Sequence, residues 1–252
     1  MGCGMDIQFL LFVLVGFIAQ LIDGSLGMAY GVSANSFLLG VGVSPAAASA
    51  SVHTAEIVTT AVSGLSHWRF GNVDFNLVKR LAIPGVIGGV TGAYILTSLP
   101  GEKLKPYIAI YLLIMGIRIF LKALKFTTLT TTPKNKYLFP LGLFGGLFDA
   151  IGGGGWGPIV TSTLISDGNV PNKTIGSVNL TEFFVTFSEA IAFILTIGLV
   201  NLNIILGLML GGVIAAPFGA LLTKKLPPKV IMIIVAVLII GLQLRTLYQI
   251  WF

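Results

Sequence analysis

The sequence predicts an all-α, polytopic membrane protein made of two inverted repeats of about five helical segments each, with a broken or re-entrant first helix pair in each repeat. Composition is the first reason: 55% of the 252 residues are hydrophobic, 10% are charged and the mean hydropathy is +0.97. That leaves too little polar surface to coat a soluble domain of this length. The second reason is internal repetition. A shift of 126 residues, with no gap, lays Gly16, Leu21, Asp23, Gly27, Gly31, Ser36, Pro45, Ser51, Glu56 and Thr60 on Gly142, Leu147, Asp149, Gly153, Gly157, Ser162, Pro171, Ser177, Glu182 and Thr186. One inserted residue near Phe70 changes the shift to 127, and the match resumes at Asn76/Asn203, Gly85/Gly212, Gly92/Gly219 and Arg118/Arg245. Membrane chains with halves related this way are characteristic of secondary transporters. The third reason is the placement of the cations, taken up below.

Apolar blocks fall at 7–22, 28–41, 46–66, 78–98 and 104–121, and again at 137–150, 156–166, 173–198, 202–222 and 229–249. The first two blocks of each half are short, since about 20 residues are needed to cross roughly 30 Å of hydrocarbon. They meet at Asp23-Gly24-Ser25-Leu26-Gly27 and at Asp149-Ala150-Ile151-Gly152-Gly153-Gly154-Gly155, where half-helices or a re-entrant hairpin are expected. The third block ends at Trp68 and Arg69, interface anchors beside the Gly71-Asn72 turn. The fourth contains the uncharged run Leu81–Leu99. In the second half, uncharged Ala190–Thr223 holds the end of one span, a turn at Asn201/Asn203 and most of another. The Lys- and Thr-rich stretch between the halves reads as their linker. The expected units are repeat 1 over 1–122, a cytoplasmic linker over 123–136 and repeat 2 over 137–252. Met1–Gln20 has no basic n-region and no clear cleavage site, so it reads as a retained helix.

Charge placement selects the topology. If each first pair returns to its starting side, twelve Lys and Arg residues share one face and three the other; if each pair crosses once, the split is nine to six. The positive-inside rule favours the first arrangement. It makes the halves antiparallel, with both termini outside and the central linker in the cytoplasm. The net charge of +6 sits in loops as a topology signal, so no nucleic-acid partner is expected. Cys3 is the only cysteine, which excludes an intrachain disulfide.

Ionisable side chains inside a bilayer cost at least about 2.5–3.5 kcal/mol on insertion scales, so each is a candidate for function. Glu56 lies about 15 Å into the third block at 1.5 Å per residue, with His53 one turn before it. Glu182 matches it in the eighth block, with Asn179 one turn before and Glu189 two turns after. Glu56 and Glu182 are expected to couple protons; the alternative is that they lock packing through hydrogen bonds. Gly152–Gly155, followed by Trp156, Gly157 and Pro158, describes tightly bending backbone ahead of a short helix, with unpaired amides and a positive dipole end that suit an anion. The competing role is close helix packing. Gly24, Ser25, Ser51, His53, Gly153, Gly154, Gly155, Trp156, Ser177 and Asn179 form the candidate substrate site, with Ser49, Thr54, Thr174 and Thr181 in the same zone. Asp23 and Asp149 are expected as structural caps near the helix starts. Arg118 and Arg245 suit an anion or, more simply, snorkel to the interface. There is no catalytic triad, phosphate loop or metal-ligand cluster in the sequence pattern, so no enzymatic activity, metal or other cofactor is expected.

In its two-repeat plan, its Gly152-Gly153-Gly154-Gly155-Trp156-Gly157-Pro158 run and the stretches Gly176–Phe184 and His53-Thr54-Ala55-Glu56, the chain resembles the sulfite exporter TauE/SafE family over nearly its whole length. The resemblance implies an exporter of sulfite, sulfoacetate or a related organosulfonate, coupled to the proton gradient. The first half departs from the fuller glycine pattern at Ser25, Leu26 and Met28. A passive anion channel is the main rival, and an intramembrane aspartyl enzyme using Asp23 and Asp149 a remoter one. The expected partners are a small anion, protons and the lipid bilayer; the sequence leaves the oligomeric state open, a homo-oligomer included.

Overall fold

In the computed structural model, described for residues 3–124, 137–222 and 228–251, these segments fold into ten α-helices. The first repeat comprises α1 (Cys3–Leu26), α2 (Tyr30–Gly40), α3 (Pro45–Arg69), α4 (Phe75–Ser98) and α5 (Gly101–Leu124). The second comprises α6 (Leu138–Gly152), a single π-helical turn (Gly157–Thr161) running into α7 (Ser162–Ser166), then α8 (Pro171–Ile197), α9 (Leu202–Leu222) and α10 (Pro228–Trp251). Six helices among the described residues are long and apolar enough to cross a membrane: α1, α4, α5, α8, α9 and α10. The lipid-facing flanks are apolar, as at Leu195 and Tyr107, which satisfies a hydrocarbon solvent.

Local chemistry explains the helix boundaries. Pro45 and Pro171 open α3 and α8, where a missing N–H costs nothing because first-turn amides have no intrahelical partner. Asp74 caps α4 by accepting from the Asn76 amide at 2.9 Å. Residues 125–136, most of the expected linker, lie outside the described residues, as do Lys224 and Lys225.

The packing partners follow the repeat. α1 lies along α9 and α4 along α6, while α3 packs on α8 and α5 on α10; exchanging the halves swaps the first two pairs and maps each of the last two onto itself. The first two pairs are parallel, since Gly207, Gly211 and Gly219 meet Phe12, Val13 and Gly24 in rising order, and Gly88 and Gly92 meet Leu143 and Leu147. Small residues let the backbones touch, which supplies dispersion where the hydrophobic effect offers no drive between helices. α3 and α8 cross antiparallel: His53 meets Glu189, Thr60 meets Thr186 and Ser63 meets Asn179.

One expectation needs correcting. The first block is not short: α1 has 24 residues and contains a candidate span of 20, Ile7–Leu26. The helix continues through Asp23 and Gly24 because neither needs an unusual backbone angle, and the break falls later, at Gly27–Ala29. α2, with 11 residues, α6, with 15, and the π turn with α7 are too short to span, as expected for those blocks.

Candidate functional site

The two helix breaks share one construction. Each preceding helix ends on a glycine in the left-handed region, Gly27 at φ 67° and Gly153 at φ 64°, whose amide bonds back to the carbonyl of Asp23 or Asp149. Glycine takes that conformation without the Cβ clash that costs other residues roughly 1–2 kcal/mol. Three residues later an aromatic residue, Tyr30 or Trp156, begins the next helical segment. Its amide donates to the side chain of the same aspartate, Tyr30 to Asp23 and Trp156 to Asp149, the latter at 2.9 Å. Gly155 adds a second donor to Asp149 Oδ1 at 2.6 Å. Both aspartates therefore sit in the last turn of one helix and reach across the break to the start of the next.

The breaks also pack on each other. A Cβ on Gly31 would meet the backbone of Gly154 at 2.7 Å, and one on Gly157 would run into Met28. Asn35 of α2 donates to the Gly152 carbonyl at 2.6 Å. Tyr30 rests on Gly212, and its hydroxyl reaches the Leu208 carbonyl at 3.3 Å; Trp156 rests on Gly85, with Nε1 3.3 Å from the Val178 carbonyl.

Two polar clusters flank the Thr60–Thr186 crossing, about 15 Å apart along α3 at 1.5 Å per residue. In one, His53 Nδ1 is 2.8 Å from Glu56 Oε2 and 3.1 Å from Glu189 Oε2, and Nε2 faces the Asp149 carbonyl at 3.2 Å. His53, Glu56 and Glu189 are 0%, 1% and 0% exposed. Phe193 stacks on the imidazole with planes 4° apart. In the other cluster, Ser63 donates to Asn179 Oδ1 at 2.7 Å, and His67 Nε2 lies 2.9 Å from the Gly24 carbonyl. The repeat relation pairs His53 with Asn179, Glu189 with Ser63 and Phe193 with His67, so one cluster is ionisable at the contact where the other is neutral.

The sequence-derived candidates divide between these clusters. Ser51, His53, Glu56, Asp149, Gly153, Gly154, Gly155 and Trp156 belong to the first group of elements, the α6 end and the early turns of α3. Gly24, Ser25, Ser177 and Asn179 belong to the second, where the α1 end meets the start of α8 and Gly27 abuts Ile175. Glu182 lies between, 5% exposed, its carbonyl accepting from Thr186. Several hydroxyls expected near an oxyanion donate to their own helices: Ser51 to Ala47, Thr54 to Ala50, Ser177 to Lys173 and Thr181 to Ser177. Ser49 instead bridges to α6 through the Ala150 carbonyl at 2.6 Å. Ser25 bonds to Ile22. Arg118 reaches Thr163 of α7 at 3.3 Å.

His53, Asp149 and Glu189 each offer an atom within 4.8 Å of the others. Both imidazole nitrogens already face acceptors, so His53 presents no lone pair to a metal as arranged. Sequence reasoning noted Glu189 without giving it a role, and left out Phe193 and Gly89, the last giving way to the Glu189 side chain from α4. Glu189 carried a signal: it is a carboxylate in a long apolar stretch, aligned with a serine in the other repeat.

Helices that break beside buried carboxylates, within a bundle of long apolar helices, define a polytopic α-helical membrane transporter. A profile described as "Sulfite exporter TauE/SafE" matches residues 12–246, and the chain belongs to that family. A relative in Bacillus subtilis (strain 168), the "Probable membrane transporter protein YtnM", is 45% identical over 252 residues, covering 97% of this chain and 84% of the relative. No solved structure matches the chain.

Proposed function

We propose that this transporter exports a small sulfur-containing anion, sulfite, sulfoacetate or a related organosulfonate, across the cytoplasmic membrane, driven by protons through alternating access. The observation that carries the reading is the buried set of carboxylates and His53 where the two halves cross, because ionisable groups at such a position mark ion and substrate pathways. Glu56 and Glu182 are the coupling carboxylates. The antiparallel crossing of α3 on α8 supports an inverted relation between the repeats, with both termini outside.

The anion is held at the glycine breaks. Supporting this, the Gly155 and Trp156 amides converge on one carboxylate oxygen, the geometry an oxyanion requires. Asp149 occupies those amides here, so substrate entry requires its carboxyl to withdraw. His53, Asn179, Ser51 and Ser177, with Gly24 and Ser25 of the first break, complete the two half-sites.

The test is flux of labelled sulfite and sulfoacetate in proteoliposomes under an imposed pH gradient. Accumulation that follows the gradient supports the proposal. Currents far above transporter turnover, indifferent to the gradient, would establish a passive channel instead.

A further inference from the structure

The two clusters flanking the crossing occupy equivalent positions, yet only one has an acid and an imidazole at the α3–α8 contact. At one, Ser63 and Asn179 share a neutral hydrogen bond of 2.7 Å; at its counterpart, Glu189 and His53 meet at 3.1 Å. The Ser63–Asn179 pair shows that α3 and α8 can meet through a neutral contact. Replacing it by a buried acid and imidazole adds desolvation that a purely structural contact does not need.

We propose that Glu189 is a coupling residue, and that its contact with His53 is a proton-operated latch between the two halves. The inference rests on the proton-driven reading above and adds to it a residue and an asymmetry. His53 has acceptors at both nitrogens: Glu56 and Glu189 at Nδ1, the Asp149 carbonyl at Nε2. An imidazolium directs one N–H to Glu56 and the other to the Asp149 carbonyl, with Glu189 held by charge at 3.1 Å. One positive charge then faces two carboxylates, and the carboxyl of Asp149, on α6, bears on the pair as well. Glu182 is a further ionisable neighbour on α8, and Gly89 of α4 lies against the Glu189 carboxyl.

A single proton accepted at Glu189 converts this arrangement to one imidazolium and one carboxylate, His53 with Glu56, both on α3. The attraction between α3 and α8 is lost while the pair within α3 remains. Because His53 and Glu189 belong to different repeats, the proton acts on the contact that must open if the repeats move relative to each other. Neither Glu189 oxygen has a hydrogen-bond partner among the described residues, so an added proton breaks no hydrogen bond there.

The test combines two assays on reconstituted protein: substrate exchange with no gradient, and accumulation driven by a pH gradient. Glu189→Gln should keep exchange and lower gradient-driven accumulation by roughly 5- to 150-fold, the span of ordinary coupling free energies. A second variant guards against a local folding defect: Glu189→Ser places here the serine that its counterpart position, Ser63, already carries. It should fold, exchange substrate and fail to accumulate it. Wild-type accumulation in either folded variant overturns the latch while leaving proton drive intact. Failure of both variants to fold marks the contact as packing and also overturns it. Wild-type protein that ignores the gradient overturns the proton-driven reading and the latch together.

Discussion

The hydroxyls of Thr60 and Thr186, equivalent positions of the two repeats, face each other at 3.5 Å where α3 crosses α8. Each donates to its own helix, Thr60 to the Glu56 carbonyl and Thr186 to the Glu182 carbonyl, so the contact between them is one of shape. A crossing between equivalent residues lies on the axis relating the halves. What lies to either side can then be compared position by position.

That crossing is expected to be cross-linkable. With Cys3 changed to Ser, the pair Thr60→Cys and Thr186→Cys should oxidise to a disulfide, since facing side chains at this separation meet its reach. Absence of cross-linking in folded protein, judged by gel mobility under oxidising conditions, would contradict the crossing.

The antiparallel relation makes a second forecast. Single cysteines in the turn after α3, at Gly71, and before α8, at Asn169, should be labelled by an impermeant maleimide from the same side of the membrane. Cysteines at Gly42 and Gly198 should be labelled from the other. A mixed pattern within either pair would exclude inverted repeats.

Asp149 separates support of the backbone from transport. Asp149→Asn keeps an acceptor for the Gly155 and Trp156 amides, whereas Asp149→Ala strands both, so the alanine variant should lower stability by about 1–2 kcal/mol relative to asparagine. Thermal unfolding in detergent reads the difference. Equal midpoints would remove the cap from the account.

Gly153→Ala carries two penalties, a left-handed backbone angle and a Cβ placed against the Asn35 side chain. A loss of at least about 1–2 kcal/mol is expected from the angle alone. Gly71→Ala, with positive φ but open space around the Cβ, should cost less. The ranking is checked by comparing the two unfolding midpoints.

Glu182→Gln should uncouple transport from the pH gradient while leaving substrate binding in place. Binding measured by thermal stabilisation, beside gradient-driven flux, distinguishes the two effects. Unchanged gradient dependence in Glu56→Gln and Glu182→Gln alike would remove both from the coupling machinery.

The sequence alone determined the solvent, the helical class and the duplication, because hydrophobic composition and a near gap-free self-match are written residue by residue. It also located both breaks to within a few residues, since glycine runs have local conformational consequences. It misjudged α1 because Asp23 and Gly24 resemble breakers, yet a helix tolerates both until Gly27 turns left-handed. Only the tertiary structure decided that Glu189 meets His53, that Asp149 takes the amides of its own break, and that the candidate residues divide into two clusters. Those outcomes depend on which faces of α3, α6 and α8 meet, residues about 100 or more apart in the chain, and local sequence pattern does not encode that meeting.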